Sequence, residues 1–378
     1  MLTPFASSMR RQSQIPRPQR PEGPHDPPAA SCLWAPETGR TLLAPIGQQG
    51  GREMLRTPVC DVLGVDVPIV SAPFGPWEQV SLAAAVSNAG GLGSVGTAVR
   101  SAEELRGQWA RLRELTDRPF AINHTGRPFN EEAFAASLEF RPRVISFHMG
   151  VPADLIARAH DRDIVWMQTV GDTAAAEAAL AAEADVLIAQ GGEAGGNCGW
   201  IATLVLVPAV VDIAGDVPVL AAGGIADGRG IAAALALGAQ GVCLGTRFLA
   251  TPEVDVDQAW KNRIVAADAG DAVKVAHAER VMPPFTIPQI GTPFAPRCLR
   301  TPLTDQLEAD PESVDPAQAG PQLVQAIRQG RGHEFLPFPG QSAALVHDVL
   351  PSAQLMARLL EETGGALARV NAVANPRR

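Results

Sequence analysis

From Pro58 onward the chain alternates between two hydrophobic patterns. Short runs rich in valine, isoleucine and leucine have the character of buried strands. Each gives way to an alanine-rich stretch whose apolar positions recur every three or four residues. The pattern predicts strands at Val67–Pro73, Gly91–Gly96, Pro119–His124, Val144–His148, Ile164–Val170, Val186–Gln190, Val217–Ala222 and Gly241–Thr246. It predicts helices at 79–89, 101–115, 130–140, 153–161, 172–184, 203–214 and 227–238. Eight strands separated by helices across about 190 residues is the rhythm of an α/β fold, a (β/α)8 TIM barrel. A doubly wound open sheet is the competitor and usually uses fewer strands.

The barrel pattern occupies 54–251 and stops after Thr251. Residues 252–335 are rich in proline and acids, with helical fragments expected at 255–269, 272–280 and 316–330. They read as a small inserted helical domain lying over the C-terminal face of the barrel, where barrel active sites sit. An amphipathic segment at 341–363 supplies the closing helix, assigned to 336–370. Pro351 should kink or divide it, and Gly364-Gly365 should stop it. Residues 1–53 show no apolar periodicity and hold nine prolines before residue 50, the pattern of a disordered extension. Arg10-Arg11 is followed by no apolar run, and Pro16, Pro18 and Pro21 oppose an amphipathic transit helix.

At 378 residues, 46% hydrophobic and 19% charged, the chain can bury a large core. A net charge of −9 argues against a nucleic-acid partner, and no apolar run is long enough to predict a membrane span. Cys32, Cys60, Cys198, Cys243 and Cys298 are odd in number and lack metal or redox spacing. They point to a reducing, cytoplasmic setting without disulfides or zinc. Tyrosine is absent, which excludes phenol-based acid–base or radical chemistry.

The chemistry should gather where strands end. Gly223-Gly224 follows one strand and precedes a helix, Gly245-Thr246 follows the last strand, and Gly340-Gln341 opens the closing helix. Backbone N–H groups there suit a phosphate, and the loops after barrel strands seven and eight commonly hold one. The alternative is that these glycines only make tight turns. The loop Gly191-Gly192-Glu193-Ala194-Gly195-Gly196-Asn197-Cys198-Gly199 can lie against a flat ligand and bring Asn197 over it. Asn123, Gln168 and Gln190 sit near strand ends, where carboxamides can read a heterocycle's edge or serve as satisfied core groups. His124 and His148 also end strands and are expected to face the same mouth as candidate bases. Cys198 has nothing in its sequence neighbourhood that would activate its thiol.

Taken together, Ser87-Asn88-Ala89-Gly90-Gly91-Leu92-Gly93, Gln190 to Gly196, Ala221-Ala222-Gly223-Gly224-Ile225-Ala226-Asp227-Gly228, Gly245-Thr246-Arg247-Phe248 and Pro339-Gly340-Gln341-Ser342-Ala343 resemble the nitronate monooxygenase (2-nitropropane dioxygenase) family of FMN-dependent barrels. The chain is similar also to the FMN-dependent enoyl-ACP reductases of that fold. The resemblance runs from about Val67 to Leu360. It implies FMN with its phosphate at Gly223, Gly224, Gly245 and Thr246, supported by Gly340 and Gln341. The ring would meet Ala72-Pro73-Phe74, Asn123 and Gln190, close to Gln168, Gly195 and Gly196.

The implied reaction is oxidation of an alkyl nitronate with oxygen to a carbonyl compound and nitrite. The alternatives are an NAD(P)H-dependent ene-reductase and a flavin-binding protein with little catalysis. A small-molecule substrate is expected, and a homodimer is possible. The family usually reads Gln-Ala-Pro-Met where this chain has Ser71-Ala72-Pro73-Phe74, and it usually places its catalytic histidine where this chain has Asn197. Asparagine can orient or polarise an oxygen but cannot take a proton near neutral pH. A base, if one is needed, must then be His148 or His124.

Overall fold

The computed structural model describes residues 55–74, 77–98, 100–126, 129–281, 295–336 and 338–375. The expected N-terminal extension at 1–53 lies outside them.

Eight parallel strands form the main sheet. They are β1 (Ile69–Ser71), β2 (Gly93–Gly96), β3 (Phe120–Thr125), β4 (Val144–His148), β5 (Val165–Val170), β6 (Val186–Gln190), β8 (Val219–Ala222) and β9 (Gly241–Leu244). β7 (Gly196–Cys198) lies in the loop between β6 and β8. The strand order is β1-β9-β8-β6-β5-β4-β3-β2. Pairing of Val70 with Leu92 brings β1 to β2 and closes the barrel. Helices cover it in sequence: α1 (Val59–Leu63), α2 (Val80–Asn88), α3 (Ala102–Leu115), α4 (Glu131–Phe140), α5 (Ala153–His160), α6 (Thr173–Ala181), α7 (Thr203–Ala214) and α8 (Gly228–Ala236). The short α9 (Thr246–Leu249) follows β9.

Strand parity sorts the core. Val70, Ala121, Val144, Met167, Ile188, Leu220 and Cys243 share an apolar cluster with α1, whose Val59, Cys60 and Leu63 belong to the same cluster. Alternate residues such as Ile145, Trp166, Leu187, Ala221 and Val242 pack in the layer beneath the helices. Local capping agrees with this arrangement. Ser101 and Glu104 form a capping box on α3, while Asp172 and Asp227 cap α6 and α8.

The segment after Thr251 differs from the helical reading. It carries α10 (Gln258–Val265), α11 (Pro302–Ala309) and α12 (Pro316–Arg328), but also β10 (Ala272–Lys274) and β11 (Ala295–Leu299). The helix expected at 272–280 is a strand followed by one 3-10 turn at Ala278–Arg280. β10 and β11 pair antiparallel, and β11 pairs in turn with β7, so this segment is stitched into the loop after β6.

The closing region departs from expectation in part: Pro351 divides it as expected, but the segment before it is not α-helical. Gln341–Leu345 is a 3-10 turn, and α13 begins at Ser352, just after Pro351. It continues to Ala374 through Gly364-Gly365, which do not stop it. Each glycine costs a helix roughly 1 kcal/mol, and α13 carries both while packing closely along α8. A Cβ on Gly228 would collide with the Thr363 backbone nitrogen, and Glu362 accepts the Gly228 N–H at 3.0 Å.

Candidate active site

A cavity of about 690 Å3 opens at the C-terminal ends of the barrel strands. Its lining combines the strand ends with residues of the inserted segment, including Arg280, Val281, Leu323 and Val324. Among the predicted residues it gathers Ala72, Pro73, Phe74, Asn123, His148, Gln190, Gly195, Gly196, Asn197, Gly223, Gly224, Gly245 and Thr246. Ser94, Ser146, Thr169 and Met149 also line it and were not anticipated.

Four predicted residues stand apart. Gln168 is fully buried outside the cavity lining: its Oε1 accepts from Trp166 Nε1 at 3.1 Å, and its Nε2 donates to the Gly150 carbonyl at 2.9 Å. His124 does not face the mouth. Its Nδ1 lies 3.2 Å from Thr97 Oγ1 and its Nε2 lies 2.8 Å from Ser137 Oγ. Ser137 donates its own proton to the Ala133 carbonyl, so Nε2 carries the hydrogen in this contact. Both corrections follow from parity: Asn123 and His148 occupy cavity-facing positions, whereas His124 and Gln168 fall on the intervening ones.

Gly340 and Gln341 are in a supporting layer. The Gly340 N–H donates to Thr246 Oγ1 at 2.9 Å, and the Gln341 N–H donates to the Glu193 carbonyl at 2.9 Å. The Gln341 contact ties the returning chain to the loop after β6.

The loop from Gly191 to Gly199 is itself heavily constrained. Glu193 accepts from Thr203 N at 2.8 Å and from Thr203 Oγ1 at 2.9 Å, so its carboxylate secures the start of α7. A Cβ on Gly195 would collide with the Phe338 carbonyl oxygen, so only glycine allows that approach. Asn197 sits on β7 opposite Pro296 of β11, and its buried Oδ1 has no hydrogen-bond partner among the described residues.

The cavity offers little basicity. Burial pushes the His148 imidazole down to about 4, with a hydrogen bond to the Gln190 side chain acting in the opposite sense. His124, away from the cavity, is pushed down to about 3 by burial. Burial raises the Cys243 thiol to about 12, so it stays protonated. Arg280 is engaged with Glu312 at 2.9 Å. Neutral hydrogen-bonding groups therefore dominate the inner cavity.

The residues suit a flavin mononucleotide. Gly223 and Gly224 have φ of +100° and +73°, and Gly245 follows β9 directly, so small backbone units lie where a phosphate could approach. A Cβ on Gly223 would lie 3.0 Å from Thr203 Oγ1 and from the Gly191 carbonyl, which keeps this turn free of side chains. The Asn123 carboxamide is oriented by donating to Ser146 Oγ at 2.9 Å. Phe74, whose N–H donates to Gln79 Oε1 at 2.9 Å, fixes the wall formed by the end of β1. Among the described residues there is no cluster of side chains able to hold a metal ion.

A profile of the nitronate monooxygenase family matches residues 56–133 and 124–362. A nitronate monooxygenase of Paraburkholderia phytofirmans is 33% identical, over 87% of this chain and 99% of its own. The (3aS,4S,5R,7aS)-5-hydroxy-7a-methyl-1-oxo-octahydro-1H-indene-4-carboxyl-CoA dehydrogenase of Mycobacterium tuberculosis is 36% identical over 68% of this chain and 69% of its own. Among solved structures, FabK from Thermotoga maritima superposes with a TM-score of 0.76 at 34% identity, covering 85% of this chain and all of that one.

Proposed function

Because the chain belongs to the nitronate monooxygenase family of oxidoreductases, we propose that it binds FMN and oxidises alkyl nitronates with dioxygen to a carbonyl compound and nitrite. The family is flavin-dependent and acts on small molecules. When bound, the flavin supplies the acceptor for the substrate's electron and the donor for oxygen. Gly223, Gly224, Gly245 and Thr246 would hold its phosphate, with Gly340 and Gln341 bracing that pocket from behind. Ala72, Pro73, Phe74, Asn123 and Gln190 would border the ring.

The observation that carries the substrate assignment is the pairing of Asn197 with a base-poor cavity. A neutral nitroalkane must lose a proton from carbon before oxidation. His148 stays neutral near pH 7 but, at a pKa of about 4, is a weak proton acceptor. A nitronate arrives with that proton already gone. The Asn197 amide can then donate to a nitronate oxygen, much as an oxyanion-hole amide does. Trp77 and Phe338, with ring centroids 6.2 Å apart, add an aromatic wall to the same cavity.

The segment 252–335 sets substrate size by closing the cavity with Val281, Leu323 and Val324. Among the described residues no helix is long and apolar enough to cross a membrane.

Anaerobic mixing of the FMN-loaded protein with a panel of nitronates and, separately, with NADPH tests the assignment. Bleaching of the flavin bands by a nitronate and not by NADPH supports it. Bleaching by NADPH alone overturns it in favour of an ene-reductase, and failure to take up FMN overturns it outright.

A further inference from the structure

The inserted segment reaches the back of the site through one half-buried lysine. Lys274 ends β10 and directs its Nζ toward the end of β7. There it donates to the carbonyl oxygens of Cys198 at 2.6 Å, Gly199 at 2.7 Å and Ala295 at 3.1 Å, and lies 3.0 Å from Cys198 Sγ. The three carbonyl oxygens carry no formal charge, and among the described residues no carboxylate forms an ion pair with Lys274. The Trp200 ring covers the ammonium, with its centroid 4.9 Å from Nζ. Converging carbonyl oxygens with an aromatic face make a cation site, filled here by a side chain.

This site adjoins Asn197 on the same short strand. Cys198 Sγ passes the contact on by donating to the Ala194 carbonyl at 3.0 Å. Arg297, paired with both Lys274 and Gly196 across the small sheet, adds a bond from Nε to the Gly192 carbonyl at 2.9 Å. The loop from Gly192 to Gly199 is thus held by two cations that belong to another segment. A three-residue strand of glycine, asparagine and cysteine has little intrinsic order of its own.

We propose that Lys274 is a positioning residue for the reaction: its ammonium serves as a tethered monovalent cation that fixes the end of β7 and so aims Asn197 into the cavity. The proposal rests on the reading of Asn197 as the group that meets the substrate oxygen. Lys274 touches neither substrate nor flavin; it acts through the backbone of Cys198 and Gly199.

Lys274→Ala removes the ammonium and leaves the three carbonyl oxygens converging on a space that a small cation can fill. The FMN-loaded variant should keep its flavin but be reduced by nitronate on the order of a hundredfold more slowly, the scale of a displacement of about 1 Å at a reacting group. Ammonium or propylammonium ions, added at constant ionic strength, should restore much of that rate. Hydrogen–deuterium exchange of the flavin-free protein gives a readout independent of activity. Peptides covering 194–199 should exchange faster in the variant and regain protection with ammonium, while peptides of β3 to β5 stay unchanged.

Lys274→Met, which keeps the packing of the stem, should show the same loss without rescue. The proposal is overturned if either variant reduces at the parental rate, or if the slowing follows a lower Tm and protection is lost throughout the barrel. Asn197→Ala separates this proposal from the reading beneath it. Slow reduction in Asn197→Ala beside normal reduction in Lys274→Ala defeats the positioning role alone; normal reduction in Asn197→Ala defeats the role of Asn197 itself.

Discussion

The Thr246 hydroxyl and the Gly340 backbone N–H are joined by a 2.9 Å hydrogen bond across 94 residues of sequence. It links the end of β9 to the chain returning from the inserted segment, beside the glycines assigned to the phosphate. Thr246→Val preserves shape but leaves the buried Gly340 N–H without its acceptor. The expected cost is about 1–3 kcal/mol, read as a lower Tm, together with weaker FMN retention on dialysis. Thr246→Ser should restore both, because it returns the acceptor oxygen.

Glycines of the same loop should respond to substitution in different ways. Gly195→Ala drives a Cβ into the Phe338 carbonyl and to within 2.6 Å of the Gly340 nitrogen, so two chain segments must part. Loss of stability and of flavin should occur together. Gly196, with φ of +64°, has no atom within 4 Å of the position a Cβ would take. Gly196→Ala should cost only about 1–2 kcal/mol of backbone strain. Its Cβ lies at a cavity residue, so substrate affinity should fall more than stability; KM set beside the urea midpoint separates the two variants.

Histidine burial predicts an acid-sensitive fold. In the unfolded chain both histidines titrate at about 6.5, whereas His148 and His124 are held down to about 4 and about 3 in the folded protein. Between those limits the unfolded state binds more protons, so stability is full above pH 6.5 and falls as the pH falls below it. From pH 7 to pH 5 each histidine should remove about 2 kcal/mol. His124→Gln should show a shallower decline of the urea midpoint over that interval. An unchanged slope would mean that His124 protonation does not drive the loss.

The same histidines show how far the sequence carried the site. The apolar rhythm located all eight barrel strands, and the glycine-bearing strand ends located most of the cavity. What it left open was the direction each polar side chain takes. Asn123 and His124 are neighbours on β3, yet one lines the cavity while the other bonds to Thr97 and Ser137. The alternation of Val144, Ser146 and His148 on β4, and of Met167 and Thr169 around Gln168 on β5, would have assigned these faces.

The small sheet could not be read in the same way. β7 has three residues without alternation, and its partner Ala295 lies 97 positions from Cys198. Short strands paired at that separation leave no local periodicity. Lys274 was therefore invisible as a neighbour of Cys198, and the sequence around the thiol shows no activating group.

Asn197→His gives the most direct test of why this cavity suits an ionised substrate. Asn197 lines the cavity with an unpartnered carboxamide oxygen, so an imidazole there needs no existing bond to be broken. It would supply a proton acceptor beside the substrate, a function His148 performs weakly with a pKa of about 4. General-base catalysis of this type contributes roughly 10²–10⁴-fold. The variant should therefore gain oxidation of neutral nitroalkanes by up to that factor, with a rate that rises with pH as the new imidazole loses its proton. Activity on nitronates should fall, because the amide that meets their oxygen is gone. Stopped-flow flavin reduction with a nitroalkane and its nitronate, across roughly pH 5.5 to 8.5 to bracket an ordinary imidazole, gives both comparisons. If the variant gains nothing on neutral nitroalkanes while His148→Ala abolishes the parent's slow turnover of them, the proton acceptor is His148 and the reading of Asn197 as the limiting position is wrong.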